Sequence, residues 1–222
     1  MKVGFIYSVL VMVAVSYGSA AQSPSADSIL PPEDRSLYLF CRATKNKLSL
    51  ACARYNIIDS NITHVAIGFT SKGRIIIYNV TDDPQAKNAF RLETINSFLA
   101  VPAIYRFAVW KFIQPVCSPR KLKRHCDKYF KYPVRFDSKL DLCNGDTKLY
   151  CSEFVANTLN RCLPRLFNYQ PTQAPLTGRF EQLYLGKTSL CYYPPDFFLS
   201  DQRFVLVLDV ALPSTSVTVK PQ

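Results

Sequence analysis

Histidine is scarce in this sequence, with two residues among 222, so each one is a candidate for a specific role. The cysteines lack the close pairing of zinc knuckles, and neither Cys117 and Cys126 nor Cys143 and Cys151 have histidines at ligand spacing. Internal repeats and domain linkers are also absent, and apolar residues make up 48 % of the chain, which excludes a disordered tail. We therefore expect one globular domain without a metal site or a cofactor.

One hydrophobic run lies near the N-terminus, and no second run follows it. It extends from Val3 to Val15 behind Lys2 and ends in small and polar residues. The run is short for a bilayer span, and the small residues suit signal-peptidase cleavage after Ala20 or Ala21, with a signal anchor as the alternative. The sequence thus predicts a secreted, periplasmic or otherwise extracytoplasmic protein without a transmembrane span in the mature chain. The expected organisation is a signal peptide at 1–21, a flexible leader at 22–34, one domain at 35–212 and a loose tail at 213–222.

Eight cysteines fit an oxidising compartment, in which disulfides persist. An even number permits four disulfides, but their connectivity does not follow from the spacing. A disulfide-braced protein is therefore one interpretation of the chain.

Positive charge exceeds negative charge by 11 over the whole chain. Much of this excess lies between Arg120 and Lys139, where a basic helix is predicted. In an exported protein such a face suits an anionic cell-envelope polymer or a lipid surface, and a solvated helix face is the alternative. No nucleic-acid recognition motif is present, so we expect no nucleic-acid partner.

Segments rich in Val, Ile and Phe predict strands, and longer amphipathic segments predict helices. The predicted strands cover 37–42, 63–69, 74–80, 105–112 and 204–210, and the predicted helices cover 119–132 and 150–163, with a short helical patch before residue 58. Residues 137–147 are expected to form a loop, and 164–190 are ambiguous.

His64 opens an apolar strand that is predicted to form a hairpin with the next strand. With a two-residue loop at 72–73, Ala66 faces Asn79, and alternation makes Asn79 a diagonal neighbour of His64 on one face. An amide oxygen of Asn79 accepting from one ring nitrogen would leave the other nitrogen free as a base. A half-buried histidine without a catalytic role is the alternative. The other histidine, His125, lies in the most basic segment and is expected to be exposed and a poor base.

Cys151 follows a turn and lies in the first turn of a predicted helix. Unpaired N–H groups and the helix dipole favour a thiolate at such a position, and the same N–H groups suit an oxyanion. Ser152 is a nucleophile by residue type, but nothing near it in the sequence would activate it, and Glu153 is interpreted as structural. The alternative for Cys151 is one half of a disulfide, for example with Cys143 or Cys162.

A strand with His64, a polar residue on the next strand and Tyr-Cys-Ser-Glu-Phe-Val at 150–155 together resemble the YiiX/YebB-like group of permuted papain-fold cysteine hydrolases. These are relatives of NlpC-type cell-wall peptidases. The histidine precedes the cysteine, which is the order of the permuted group and the reverse of ordinary papain-like enzymes. Weaker similarities to the opening strand, to a Tyr-Asp segment and to a late Pro-x-Asp segment lie at 36–40, 132–137 and 193–198, and the resemblance covers about residues 36–210.

The resemblance implies an α+β fold in which an antiparallel sheet or a small barrel packs on the nucleophile helix. It implies that Cys151 attacks a carbonyl, that His64 takes the thiol proton and that Asn79 holds the ring. Two features depart from the family, which often has glutamate at the position of Asn79 and opens its first strand with Gly-Asp. Asn79 also begins a glycosylation sequon, as Asn61 does, and a glycan on Asn79 would be incompatible with this triad.

The expected function is cleavage of an amide, of peptide or cell-wall type, by a secreted Cys–His–Asn hydrolase through an acyl-enzyme. One alternative is a lipid acyl hydrolase or acyltransferase that uses the same residues. The other is a non-catalytic, disulfide-braced binding protein on a degenerate hydrolase fold.

Overall fold

A computed structural model describes residues 36–45, 47–71, 74–83, 85–114 and 119–212. The expected signal peptide, leader and tail, the loop residues 72–73 and Cys117 lie outside the described residues. No helix within the described ranges is long and apolar enough to cross a membrane.

The described residues form ten strands and five α-helices. The strands are β1 (Leu37–Thr44), β2 (His64–Ser71), β3 (Arg74–Val80), β4 (Phe90–Glu93), β5 (Ile104–Phe112), β6 (Arg135–Phe136), β7 (Lys148–Leu149), β8 (Thr172–Pro175), β9 (Ser189–Tyr192) and β10 (Phe204–Ala211). The helices are α1 (Lys47–Ala53), α2 (Ile95–Leu99), α3 (Pro119–Lys131), α4 (Cys151–Cys162) and α5 (Arg179–Leu185). Two short 3-10 helices cover Gly145–Thr147 and Phe197–Ser200.

Six strands form one antiparallel sheet in the order β10-β5-β1-β2-β3-β4. In the described part of the chain the edge strands β10 and β4 do not pair with each other, so the sheet is open and not a small barrel. The parallel pair β6–β7 and the antiparallel pair β8–β9 lie outside this sheet. The α+β class and the antiparallel sheet expected from the sequence are thus confirmed.

Both faces of the sheet are covered, which explains why its central strands are nearly continuous apolar runs. On one face, Val65 and Ile67 belong to a large core that also contains Phe154 and Val155 of α4. On the other face, Ala66 packs in a smaller core with Phe98 of α2. Burial of apolar side chains on both faces contributes about 25 cal/mol for each Å² removed from water, so α4 and α2 hold the sheet from opposite sides.

Five of the predicted strands and both of the predicted long helices are present, with ends within two residues of the predicted ones. Strand β4 and helix α2 were not predicted. Both are short, and α2 is held by burial of Ile95 and Phe98, whose side chains face the smaller core. Tertiary packing, together with the capping box of Thr94 and Ser97 at the start of α2, therefore forms the segment 90–99.

Candidate active site

The hairpin of β2 and β3 has the register that the sequence predicts. Ser71 pairs with Arg74 and Ile67 pairs with Tyr78, so the ladder continues towards Ala66 opposite Asn79. The ring Nε2 of His64 and Oδ1 of Asn79 are 2.7 Å apart. The predicted contact between this histidine and this asparagine is therefore present.

The orientation of the Asn79 amide is determined by a third residue, Glu93 of β4. Asn79 is 0 % exposed, and its Nδ2 donates to Oε2 of Glu93 at 2.8 Å. Because a carboxylate accepts and does not donate when ionised, the amide oxygen must face the histidine. His64 Nε2 therefore carries the proton, and Nδ1 keeps a free lone pair. Complete burial of Asn79 also excludes a glycan on it in the folded protein.

Sequence reasoning missed Glu93 because it lies on the unpredicted strand β4. Alternation within Phe-Arg-Leu-Glu separates Glu93 from the buried Phe90, but it does not reveal that β4 pairs with β3. In the structure Glu93 pairs with Ile77, which places it diagonally beside Asn79.

His64 is electrically neutral near neutral pH. Burial lowers its pKa well below the usual value, and the nearby positive charge of Arg42 lowers it further, while the hydrogen bond to Asn79 acts in the opposite direction. A neutral imidazole with a free Nδ1 is the form that accepts a proton, so the geometry suits a general base, whereas the lowered pKa makes the ring a weaker base than a free imidazole.

Cys151 begins helix α4, as predicted, and carries a free thiol that is 7 % exposed. Burial raises the pKa of this thiol, while the backbone of Val65, the backbone and hydroxyl of Ser152 and the charge of Arg42 lower it. The net shift is upward, so the resting thiolate expected from the sequence is wrong, because desolvation outweighs the helix N-terminus. The thiol needs a base to become a nucleophile.

Cys151 and His64 line the same cavity, whose volume is about 280 Å³. The segments that meet there include β1, α1, β2, residues 81–82 after β3, the start of α4, and the segments 136–140 and 192–195. Among the described residues, no hydrogen bond joins the Cys151 sulfur to the His64 ring. The tertiary structure thus brings the two predicted groups to one cavity.

Ser152 has a structural role. Its hydroxyl donates to the carbonyl of Tyr193 at 2.6 Å, and the Tyr193 N–H donates to the hydroxyl of Tyr150 at 2.9 Å. These two bonds join the start of α4 to the segment at 192–196. The Ser152 hydroxyl therefore helps to hold the start of the nucleophile helix against this segment.

Glu153 is buried behind the nucleophile, with 3 % of its surface exposed. Its Oε2 accepts from the Tyr150 N–H at 3.4 Å, as expected for a structural residue. Burial raises its pKa to about 8, the Tyr150 backbone opposes this shift, and nearby carboxylates reinforce it.

This raised pKa predicts a pH-dependent stability that Glu153→Gln removes. The folded protein holds the Glu153 proton up to a pH of about 8, whereas the usual value is 4.5, so stability is full below 4.5 and is lost as pH rises towards 8. We expect a loss of about 3 kcal/mol for the native chain and much less for the glutamine variant. Urea unfolding at pH 5 and pH 8.5 measures both, and equal pH dependence in the two proteins would contradict the assignment.

Two other carboxylates position the loops around the cavity. Oδ2 of Asp196 accepts from the backbone N–H groups of Ile57, Ile58 and Asp59, at 2.9 and 2.8 Å for the first and the last. This loop leads into β2 and therefore into His64. Asp137 accepts three hydrogen bonds from the loop at 139–144, at 3.0, 2.6 and 2.9 Å, and that loop contributes Leu140 to the cavity wall. The Tyr-Asp and Pro-x-Asp segments thus have structural roles beside the site.

His125 lies away from this cavity, on α3. It is partly buried against Tyr129, so the expected exposure is wrong. Burial and the charges of Lys128 and Arg161 lower its pKa to about 4, which makes it a weak base, as expected. The same Lys128 and Arg161 form ion pairs with Asp146 at 2.9 and 2.6 Å, so part of the basic segment is neutralised within the fold.

The seven cysteines in the described part of the chain all have free thiols. In the same ranges no three His, Cys, Asp or Glu side chains are grouped so that they would hold a metal ion.

Comparison with known proteins gives evidence about the fold of this chain. No family model and no curated protein matches the sequence. A solved structure described as metalloprotein yiiX from Escherichia coli O157:H7, DUF1105, matches with a TM-score of 0.58 at 13 % identity, over 79 % of this chain and 97 % of that chain. The chain therefore has a YiiX-like α+β fold.

Proposed function

We propose that this protein is a cysteine hydrolase of the permuted papain-like type, with Cys151 as nucleophile, His64 as base and Asn79 as the residue that orients the base. One observation carries the proposal. A thiol at the start of a helix lines the same cavity as a neutral imidazole whose Nε2 is held at 2.7 Å by an amide oxygen. The free Nδ1 of this imidazole is then available to the thiol.

The proposed reaction starts with transfer of the Cys151 thiol proton to His64 Nδ1. The sulfur attacks the substrate carbonyl, and N–H groups at the start of α4 stabilise the oxyanion that forms. The bond to the leaving group then breaks, and the leaving group takes the proton from His64. In the second half water attacks the acyl-enzyme while His64 accepts a proton from the water. The thioester C–S bond then breaks, the acid is released, and His64 returns the proton to the Cys151 sulfur.

Glu93 compensates for the neutral side chain of Asn79. A carboxylate at the position of Asn79 would stabilise the imidazolium directly, whereas here the negative charge lies one hydrogen bond farther away, at 2.8 Å from Asn79 Nδ2. Glu93 acts as a positioning residue for the base, because it fixes the direction of the Asn79 amide.

The substrate that we propose first is an amide of peptide or cell-wall type. The exposed basic residues of α3 would contact an anionic envelope polymer or a lipid surface, and both partners presuppose an extracytoplasmic protein. The YiiX structure is described as a metalloprotein, whereas the described residues here contain no group of three His, Cys, Asp or Glu side chains that would hold a metal ion.

An apolar groove favours a second candidate, a lipid acyl hydrolase or acyltransferase. The groove shares Cys52, Leu140 and Tyr192 with the cavity at Cys151 and continues along α5. Near its outer end Phe180 and Leu183 are exposed. The groove itself is narrow, with a volume of about 20 Å³, so its apolar side chains would contact only part of an acyl chain. The mass of a trapped acyl-enzyme would distinguish this candidate from a peptide product.

Alkylation of the native protein tests the proposal. We expect iodoacetamide to label Cys151 at pH 8, and His64→Ala to slow this labelling about tenfold, since the base is lost. His125→Ala is the matched control, because it removes the other histidine and leaves the cavity unchanged. Peptide mapping measures both rates. A native disulfide at Cys151, or equal rates in the two histidine variants, would falsify the proposal.

A further inference from the structure

Arg42 is an unusual residue in the wall of the cavity. It lies on β1 directly opposite His64 in the ladder, it is 5 % exposed, and it lines the same cavity as Cys151. Arginine is almost never buried to this extent unless it is paired.

The partners of Arg42 satisfy only part of its guanidinium. Nη1 donates to the carbonyl of Phe98 at 2.6 Å, and the group lies 4.5 Å from the centre of the Phe98 ring. Its Nε is buried without a partner. Within the described residues no carboxylate forms a salt bridge with Arg42, and the nearby Glu93 is bonded to Asn79 instead.

A buried cation that lacks an ionic partner is costly, usually by several kcal/mol. Burial lowers the pKa of Arg42 only to about 10, so the group remains charged at neutral pH. Its planar set of N–H donors matches the two oxygens of a carboxylate. Arg42 therefore places a positive charge without a salt bridge in the wall of the cavity that contains the nucleophile, and an anionic ligand in this cavity would pair with that charge.

We propose that Arg42 binds a carboxylate of the substrate, so that the acyl donor attacked by Cys151 carries a carboxylate close to its scissile carbonyl. This inference rests on the proposed function and narrows its substrate class. A neutral substrate would leave the guanidinium unpaired, so Arg42 selects against it.

Two alkylating reagents of nearly equal size test this inference. In both reactions the Cys151 sulfur forms a bond to the CH₂ carbon and iodide leaves, but iodoacetate carries a carboxylate where iodoacetamide carries an amide. We expect the rate ratio of iodoacetate to iodoacetamide at Cys151 to exceed the ratio at the exposed Cys143 by about tenfold, which corresponds to 1.4 kcal/mol. Arg42→Gln should reduce the ratio to that of Cys143, and Arg42→Lys should keep part of the preference.

A ligand experiment on the unmodified chain covers the case in which Arg42→Gln does not fold. Succinate should protect Cys151 from iodoacetamide in a saturable manner, and the neutral succinamide should not. If the two ligands protect equally, or if folded Arg42→Gln retains the iodoacetate preference, the inference is wrong. His64-dependent labelling without any iodoacetate preference would refute the role of Arg42 and leave the hydrolase intact, whereas no reaction with either reagent would refute both.

Discussion

Replacing His64 by alanine is expected to lower kcat/KM for an activated thioester by about 10³-fold, because the buried thiol then lacks the base that removes its proton. Asn79→Ala is expected to lower it by about 30-fold, since the ring loses the acceptor at 2.7 Å. Glu93→Gln should cost about threefold, chiefly in kcat, because it leaves the Asn79 amide less firmly oriented. Steady-state kinetics on the three variants measure this graded series.

The control for the series is His125→Ala, which removes a histidine of α3 far from the cavity and should retain full activity.

The pH profile distinguishes a positioning role of Glu93 from a merely structural one. Loss of the Glu93 charge should lower the pKa that governs the basic form of His64, whereas a structural defect would reduce the rate equally at every pH. A Glu93→Gln enzyme with unchanged pH profile and unchanged rate would contradict the arrangement proposed here.

The second large effect is on stability. Asp196→Ala is expected to destabilise the fold by about 4 kcal/mol, because the carboxylate is 0 % exposed and its Oδ2 accepts three backbone N–H groups. Without it, three backbone donors in the loop at 57–59 lose a buried acceptor, and each group that is left unsatisfied costs about 1–3 kcal/mol. Denaturant unfolding followed by circular dichroism measures the change.

Asp196→Asn is the matched variant for this prediction. It keeps an oxygen that accepts from the same N–H groups, so we expect a loss of only about 1 kcal/mol. Because the loop leads into β2, the alanine variant should also weaken the His64-dependent labelling of Cys151. Equal stability of the alanine and asparagine variants would show that these hydrogen bonds contribute little.

The hairpin and the nucleophile helix could be predicted because their determinants are local. Alternation along β2 and β3 and a two-residue loop define the register, and the register brings Asn79 to His64. A turn followed by an apolar helical segment places Cys151 in the first turn of α4. Neither argument needed any knowledge of the rest of the fold.

Strand β4 and the charge state of Cys151 could not be predicted, because both depend on what packs against them. Phe-Arg-Leu-Glu is too short to show a period, so Glu93 and its bond to Asn79 were missed. A helix N-terminus by itself favours a thiolate, but the desolvation of Cys151 is a property of the packed cavity and acts in the opposite direction. In the sequence Arg42 is the last residue of a predicted strand, and nothing local indicates that its side chain is buried.

By itself, the sequence determined the pairing of β2 with β3 and the positions of the thiol, the imidazole and the amide along the chain, because side-chain alternation and helix starts depend on neighbouring residues. The α+β class followed from the family resemblance. Only the tertiary structure decided that the thiol and the imidazole share a cavity, that Glu93 orients the amide and that a buried guanidinium stands beside them. These relations join segments distant in the chain, and their energies arise from desolvation and packing that exist only once the sheet and α4 have come together.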